Sequence, residues 1–176
     1  MKIEENMDLN AFIRDVPDFP KPGIIFKDIT PLLNDPKAFA CLIDIFADKY
    51  RNSGISHVCG IESRGFIIGA ALALRLGIGF VPIRKAGKLP CKKIRREYSL
   101  EYGTDAIEIH ADAVNRGEKV LLVDDLIATG GTALAAVELL QDIGAQVTGI
   151  AFAIELEFLK GRDRFDSSSI FSVLKY

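Results

Sequence analysis

The sequence predicts an α/β domain in which helices flank a central, mainly parallel sheet. Segments rich in β-branched apolar residues alternate along the chain with segments of helical periodicity, which is typical of repeated strand–helix units. One segment, KVLLVDD (119–125), is an almost continuous apolar run, as expected for a strand covered on both faces. The length of 176 residues fits a single domain, 1–176, with a substantial core.

The first fifty or so residues are predicted to precede the sheet. A short helix is expected over 8–14, whereas DFPKPGIIF (18–26) contains enough proline and glycine to be irregular. The next helix starts at Asp35-Pro36, because proline suits the first helical position, and it continues to about residue 51. Its apolar residues share one face and are Phe39, Leu42, Ile43 and Phe46.

Two strands and the helix between them form the first predicted repeat. HVCGIE (57–62) is predicted to be a buried strand, followed by the turn Ser63-Arg64-Gly65. The helix FIIGAALALRLG (66–77) ends at Gly77, since glycine is favoured just after a helix. IGFVPIRK (78–85) is the second strand.

The second half of the chain supplies the rest of the predicted sheet. AIEIH (106–110) alternates like a strand, KVLLVDD (119–125) is followed by a helix over 131–143, and QVTGIAFAIEL (146–156) is a further strand. The segment 86–105 is long, charged and without clear periodicity, so a loop is expected there, with a solvated charged hairpin or a small nucleic-acid patch as the alternative. A loop of this length in a compact domain is usually functional or disordered.

Composition and charge exclude several classes of protein. The net charge of -2 creates no basic field that would favour nucleic acid, and no stretch approaches the roughly 20 apolar residues of a membrane span. The polar, acidic start MKIEENMDLN is unlike a secretory signal. The three cysteines are scattered without CxxC spacing, and the two histidines suggest no zinc site, so reduced thiols in the cytoplasm are expected.

A pair of acids followed by a glycine turn is the most informative stretch. Asp124 and Asp125 end the predicted central strand, and ATGGT (128–132) opens the next helix. Main-chain N–H groups at a helix N-terminus bind phosphate, and glycines allow a ligand to come close to the backbone. Carboxylates accept hydrogen bonds from vicinal hydroxyls, so a ribose 5-phosphate would satisfy both halves. The predicted phosphate-binding residues are Ala128, Thr129, Gly130, Gly131 and Thr132.

The alternative for this stretch is a strand end with solvated acids and an ordinary turn. Two carboxylates at the end of a buried strand are costly without partners, which favours the binding site. The sequence contains neither GxxxxGK[ST] nor GxGxxG, so the better-known phosphate loops are excluded. A second turn, ESRGF (62–66), also joins a strand to a helix, and we expect both turns at the rim formed by the carboxyl ends of the strands.

The stretch VLLVDDLIATGGT resembles the phosphoribosyl pyrophosphate (PRPP) signature of type I phosphoribosyltransferases. Four further segments resemble, in order, those of the adenine-specific members of that family; they are DFPKPGIIFKDITPLL (18–33), GIESRGFIIGAALA (60–73), RKAGKLP (84–90) and YSLEYGTD (98–105). The resemblance implies transfer of the phosphoribosyl group of PRPP to adenine, with Mg²⁺ carried mainly by PRPP and pyrophosphate. It also implies a homodimer, a small N-terminal hood over the base (about 1–34) and a flexible lid loop (about 86–105).

The resemblance also implies residues that bind the leaving pyrophosphate. The family places its Ser-Arg turn there, which assigns Ser63 and Arg64, and its basic loop residues correspond to Lys88 and to Arg84 or Lys85, some of which could act across a dimer interface. Fixed cations are the natural means of stabilising an anionic leaving group. The alternative for Arg64 is an ordinary surface arginine.

The lid segment carries the remaining candidate for catalysis. Glu101, within YSLEYG, matches the family's proposed catalytic glutamate and would donate a proton or hydrogen bond to the purine ring. As an acid near neutral pH it would need a raised pKa, which burial by a closed lid could supply. Otherwise it is an exposed loop glutamate.

Four residues are implied at the adenine. Ile25 and Phe26 belong to the hood, Leu156 corresponds to the residue on the opposite face of the base, and main-chain groups around Ile25 and Lys27 would read the ring. Lys27 stands where many relatives carry arginine. Core packing is the alternative for Ile25 and Phe26.

Three other functions compete with adenine phosphoribosyl transfer. The first is transfer to another base, such as xanthine or orotate, because base specificity depends on few contacts. The second is a non-catalytic regulator that senses PRPP or a nucleotide, and the third is a structural role. The acid pair (Asp124 and Asp125) and the phosphate turn (128–132) argue against a structural role.

Overall fold

The structure, a computed structural model, describes residues 7–100, 103–166 and 169–176. The strands are β1 (Arg14–Pro17), β2 (Ile25–Asp28), β3 (His57–Ile61), β4 (Gly79–Lys85), β5 (Lys93–Leu100), β6 (Gly103–His110), β7 (Lys119–Ile127), β8 (Gln146–Glu155) and β9 (Ile170–Lys175). The helices are α1 (Thr30–Asn34), α2 (Pro36–Tyr50), α3 (Arg64–Leu76) and α4 (Gly131–Asp142). Short 3-10 turns cover Leu9–Phe12, Glu157–Leu159 and Gly161–Arg164.

The main sheet has seven strands in the order β5-β6-β4-β3-β7-β8-β9. The five strands from β4 to β9 in this order pair in parallel, whereas β6 pairs antiparallel with both β4 and β5. The prediction of a central, mainly parallel sheet flanked by helices is therefore confirmed.

Strand β7 lies at the centre and is covered on both faces. Leu121 and Val123 belong to the core cluster that includes α2 and α3, while Val120 and Leu122 belong to the cluster that includes α4. All four are fully buried. The continuous apolar run in the sequence follows from this position, since neither set of alternate side chains faces water.

The N-terminal segment forms a separate two-stranded antiparallel sheet of β1 and β2. The predicted helix over 8–14 is only the 3-10 turn Leu9–Phe12, and the predicted irregular segment 18–26 ends inside β2. Helix α2 starts as expected, because the Asp35 side chain accepts hydrogen bonds from the N–H groups of Lys37 and Ala38.

The expectation of a loop over 86–105 is wrong for much of that segment, where the alternative of a charged hairpin is confirmed. Residues Lys93–Leu100 form β5, which pairs with the full length of β6. Strand β5 also packs on α4, where Arg96 contacts Glu138 at 3.0 Å and Asp142 at 2.5 Å. The partly buried positions Ile94, Arg96 and Tyr98 alternate with exposed ones. Because the charged residue Arg96 occupies one of the inward positions, the alternation of apolar and polar residues that marks a strand is not visible in the sequence.

Among the described residues, no helix combines the length and apolar character needed to cross a membrane.

Candidate active site

A cleft of about 490 Å³ opens where β3 and β7 end. Six predicted site residues line it, namely Ser63, Arg64, Lys85, Asp124, Asp125 and Thr132. Five further residues complete the lining: Ile61, Glu62, Tyr98, Asp105 and Leu126. The turns after β3 and β7 therefore meet at one rim, as the sequence predicts.

Asp124 and Asp125 lie near the end of β7 and differ in their surroundings. Asp125 is only 4% exposed, whereas Asp124 remains partly exposed at the cleft. The Asp124 Oδ1 atom accepts a hydrogen bond from the Asp125 N–H at 2.8 Å. Burial and then the charge of Asp125 raise the pKa of Asp124 well above its usual value. The two hydroxyls of a diol in the cleft would donate hydrogen bonds to these carboxylates, including the Asp125 Oδ2 atom, which has no hydrogen-bond donor among the described residues.

Arg64 brings the turn after β3 into contact with the acid pair. Its Nε atom lies 2.6 Å from Asp125 Oδ2, although the geometry is not that of a hydrogen bond, so this buried oxygen has an ion-pair partner and no donor among the described residues. The guanidinium also lies 5.3 Å from the centre of the Phe26 ring. Arg64 thus stands between the acid pair and the predicted base pocket.

Gly65 allows the close approach of α3 to β7. A Cβ atom at this position would lie 2.8 Å from the carbonyl oxygen of Val123 and 2.9 Å from Asp124 Oδ1. Both distances are shorter than a carbon–oxygen contact permits. A larger residue would therefore move the Ser63-Arg64 turn away from the acid pair.

The phosphate turn, residues 128–132, joins β7 to α4 and includes the first two residues of that helix. Gly130 precedes the helix with a φ of 78°, a left-handed conformation that glycine adopts without strain. Because Gly130 has no side chain, it cannot cap the first N–H groups of α4. These N–H groups and the Thr132 side chain are therefore available to a phosphate at the cleft.

Strands β5 and β6 close the other side of the cleft. The Tyr98 hydroxyl donates to Asp105 Oδ2 at 3.3 Å, and Lys85 Nζ lies 3.4 Å from the same oxygen. Burial raises the pKa of Tyr98, while a hydrogen bond with Thr132 acts in the opposite direction. Tyr98 and Asp105 were not predicted as site residues, although both lie within the quoted segment YSLEYGTD (98–105).

Arg84 and Lys88 lie beside the cleft, where Glu62 organises them. Glu62 accepts hydrogen bonds from Arg84 Nε and Nη2, each at 3.3 Å, and from the Lys85 N–H at 2.9 Å. Arg84 Nη1 in turn donates to the Lys88 carbonyl oxygen at 3.1 Å. Burial raises the pKa of Glu62, but these hydrogen bonds and the nearby cations outweigh it and leave the pKa below its usual value.

The predicted base-binding residues fall into different environments. Phe26 is partly buried beside Arg64, with Phe19 packed edge-on against it at 5.3 Å, whereas Ile25 is 55% exposed. Leu156 is partly buried, and its N–H donates to the Ile127 carbonyl oxygen at 3.0 Å.

The Lys27 side chain is engaged within the protein. Its Nζ atom lies 2.7 Å from Asp15 Oδ1 and 3.9 Å from the centre of the Tyr176 ring. These contacts connect β2 to β1 and to the residue that follows β9.

Glu101 lies outside the described residues. Within those residues, no group of three or more histidine, cysteine, aspartate or glutamate side chains is arranged to hold a metal ion.

Comparisons with known proteins identify the family. The phosphoribosyl transferase domain family matches residues 28–175. Adenine phosphoribosyltransferase of Acidobacterium capsulatum is 55% identical over 168 residues, covering 96% of this chain and 93% of that protein.

Two solved structures have the same fold. The enzyme from Thermoanaerobacter pseudethanolicus has a TM-score of 0.92 at 50% identity, covering 96% of this chain and 98% of that one. The Saccharomyces cerevisiae enzyme, solved with an imino-altritol bisphosphate and adenine, has a TM-score of 0.90 at 43% identity, covering 94% and 96%. The chain therefore belongs to the adenine phosphoribosyltransferases of the type I phosphoribosyltransferase family.

Proposed function

We propose that the protein transfers the 5-phosphoribosyl group of PRPP to adenine, giving AMP and pyrophosphate in purine salvage. The observation that carries this proposal is the meeting of the acid pair and the phosphate turn at one cleft, in a chain 55% identical to a named adenine phosphoribosyltransferase. The reaction breaks the bond from ribose C1 to pyrophosphate oxygen and forms a bond from C1 to N9 of adenine, with loss of the N9 proton.

The two halves of the ribose phosphate have separate binding groups in this proposal. Asp124 and Asp125 accept hydrogen bonds from the ribose hydroxyls, which supplies partners to two neighbouring carboxylates, of which Asp125 is buried. The 5-phosphate lies on the turn that consists of Ala128, Thr129, Gly130, Gly131 and Thr132. Held at both ends, the sugar presents C1 to the incoming base in a fixed orientation.

The pyrophosphate is bound on the side of the cleft formed by β3 and β4. Arg64 and Lys85 line this side and supply positive charge, and the Ser63 hydroxyl adds a donor. Arg84, which donates hydrogen bonds to Glu62, and Lys88, whose charge lies near Glu62, add further cations. Charge on the departing oxygen is thereby stabilised as the bond breaks.

Mg²⁺ suits this site because the carboxylates of the acid pair and the phosphates of the substrate offer oxygen ligands, which this ion prefers. Mg²⁺ is usually held by one or two carboxylates together with substrate phosphates and water, and the acid pair faces the same cleft as the predicted pyrophosphate site. In our proposal PRPP and pyrophosphate carry most of its coordination. When bound, the ion neutralises part of the leaving group's charge.

The base is held between the hood and the opposite wall. Phe26 stacks on adenine, Ile25 and Lys27 offer main-chain hydrogen-bonding groups, and Leu156 packs on the other face. Glu101 donates a proton or hydrogen bond to the purine ring as N9 attacks. Closure of the segment 86–105, which includes β5, over the site would exclude water that otherwise hydrolyses the sugar.

We further propose a cytoplasmic homodimer. Cys41, Cys59 and Cys91 are free thiols, which suits a reducing compartment. Ile67 and Leu74 lie seven residues apart on α3 and are 46% and 85% exposed, so they supply apolar surface for a second copy. Light scattering coupled to size exclusion tests the dimer directly.

The test of the proposed activity is incubation with PRPP, Mg²⁺ and adenine, followed by chromatographic detection of AMP. Parallel reactions with xanthine and orotate examine the alternative bases, and AMP should form at least about ten times faster than either other product, the discrimination expected from about one lost hydrogen bond. Binding of PRPP without any product would instead support the sensor.

A further inference from the structure

The 3-10 turn Gly161–Arg164 lies directly behind the phosphate turn. A Cβ atom on Gly161 would lie 2.2 Å from the Ala128 carbonyl oxygen and 2.9 Å from the Gly130 nitrogen. Conversely, a Cβ atom on Gly130 would lie 2.6 Å from the Gly161 carbonyl oxygen. The two turns therefore pack backbone against backbone, with no space for a side chain between them.

Arg164 adds a hydrogen bond across this contact. Its Nε atom donates to the Thr129 carbonyl oxygen at 2.6 Å. A carbonyl oxygen pointing into a phosphate site would repel the ligand, so a donor that engages this oxygen favours the conformation in which N–H groups face the phosphate.

Arg162 fixes the turn Gly161–Arg164, which we call the rear turn, to the sheet. Its Nε and Nη2 atoms donate to the two oxygens of Glu155 at 2.8 and 2.5 Å, and Nη1 donates to the Ile170 carbonyl oxygen at 3.1 Å. Glu155 is only 3% exposed and is paired in register with Ile127, the last residue of β7 before the phosphate turn. The hydrogen bonds from Arg162 lower the pKa of Glu155, so the pair is ionised at neutral pH.

We propose that Gly161, Arg162 and Arg164 are positioning residues for the 5-phosphate, which they serve by holding the phosphate turn from behind. The proposal rests on the proposed function, because it assigns the 5-phosphate of PRPP to that turn. None of the three residues lines the cleft, so they act through the main chain of the turn.

The primary test compares Gly161→Ala with the unmodified protein. The methyl group must displace the phosphate turn, and a displacement near 1 Å is enough to change rates by about 100-fold. We expect KM for PRPP to rise about 10- to 100-fold, while KM for adenine changes less than about twofold. Isothermal titration with ribose 5-phosphate should show the same loss, whereas titration with adenine should not.

Gly149→Ala is the matched control for general destabilisation. Its Cβ atom would lie 2.8 Å from the Tyr50 ring, a contact outside the cleft lining, so stability should fall without a change in KM for PRPP. If Gly161→Ala does not fold, Arg164→Met decides the question, with an expected rise in KM for PRPP of about tenfold. Arg164→Lys, which keeps a donor, should restore part of the affinity.

The outcomes separate the two proposals. If the unmodified protein forms no AMP, the proposed function is contradicted whatever the variants do. If AMP forms normally and KM for PRPP is unchanged in both Gly161→Ala and Arg164→Met, the positioning role is overturned while the function stands. Equal losses for PRPP and adenine would also overturn it, since they indicate a merely structural role.

Discussion

The phosphate end and the base end of the cleft are built in contrasting ways. The phosphate turn is backed by a second turn and by the ion pair of Arg162 with the buried Glu155, which ends β8 beside β7. The hood at the base end is a two-stranded sheet with Phe19 50% and Ile25 55% exposed. It is held by ion pairs such as Arg14–Asp28, in which the arginine side chain is 61% exposed.

This difference indicates which of the proposed ligand contacts depend on the core of the fold and which depend on a surface element. In our proposal, binding of the sugar phosphate depends on main-chain geometry in the core, where a displacement of about 1 Å changes rates strongly. Binding of the base depends on a small surface sheet whose ion pairs contribute little stability individually. We therefore expect changes at the phosphate end to abolish activity and changes at the base end to alter affinity.

The largest effect should come from the acid pair. The double variant Asp124→Asn/Asp125→Asn removes two charge-assisted hydrogen bonds to the ribose, so kcat/KM should fall about 10²- to 10⁴-fold. Circular dichroism should show an unchanged fold. Asp48→Asn, on the exposed side chain paired with Arg51, serves as the control and should retain full turnover. Full turnover in the double variant would remove the acids from the site.

Arg64→Ala should weaken PRPP and pyrophosphate about 10- to 100-fold, because a cation that contacts the leaving group is lost. The effect on adenine should be smaller, since among the described residues Arg64 reaches the proposed base pocket through its contact with Phe26. Inhibition by pyrophosphate and KM for each substrate measure the difference. Arg75→Ala, at the other end of α3, is the matched control, and equal losses for all ligands would contradict the assignment.

Phe26→Ala tests the base end. Stacking of an aromatic side chain on a nucleobase is worth about 1–3 kcal/mol, so KM for adenine should rise about tenfold or more while KM for PRPP stays near its original value. The control is Phe19→Ala, which removes the edge-on neighbour of Phe26 but no proposed ligand contact. A larger effect from Phe19→Ala than from Phe26→Ala would reverse the roles.

Asp124 should also make the stability of the protein depend on pH. Burial and Asp125 raise its pKa in the folded state, so the folded protein binds this proton more tightly than the unfolded chain. The free energy of unfolding therefore falls as the pH rises from the ordinary pKa of aspartate through the raised pKa that Asp124 has in the folded protein. Asp124→Asn should melt at a higher temperature than the unmodified protein at neutral pH, with a difference that shrinks towards pH 4. Parallel melting curves across the pH range would disprove the raised pKa.

The smallest effect is expected at Lys27, whose side chain contacts Asp15 and Tyr176. Lys27→Met should cost less than about 1 kcal/mol of stability, because one partner of the ion pair is largely exposed. KM for adenine should rise only a few-fold through loosening of the hood, and Lys27→Arg should behave like the unmodified protein. A loss of adenine binding as large as that of Phe26→Ala would instead identify the Lys27 side chain as a ligand.

The central sheet and the acid pair could be predicted because their signals are local in the sequence. A continuous apolar run marks β7, and Asp124, Asp125 and the glycine turn follow it directly. Strand β5 could not be predicted in this way, because Arg96 occupies an inward position and its partners on α4 are more than forty residues away.

The rear turn shows a second limit of sequence reasoning. Gly161 is one glycine among fifteen, and nothing in the sequence marks it. The structure distinguishes it, because a Cβ atom at this position would lie 2.2 Å from the Ala128 carbonyl oxygen. Tyr98 and Asp105 were missed for the same reason, since their place in the cleft depends on how β5 and β6 pair. The roles implied by resemblance for Glu101, and for the ligand contacts of the hood, remain predictions.

The attachment of β5 to α4 through Arg96 makes this wall of the cleft sensitive to ionic strength. The Arg96 side chain is 33% exposed and its partners Glu138 and Asp142 are 42% and 40% exposed, so dissolved ions reach all three. Charges in such positions are screened strongly once the Debye length falls to about 3 Å, near 1 M salt. On β7 the ion pair between Arg64 and Asp125 is less accessible, because the Asp125 side chain is only 6% exposed. Concentrated salt should therefore weaken the attachment of β5 to α4 while the phosphate turn stays intact.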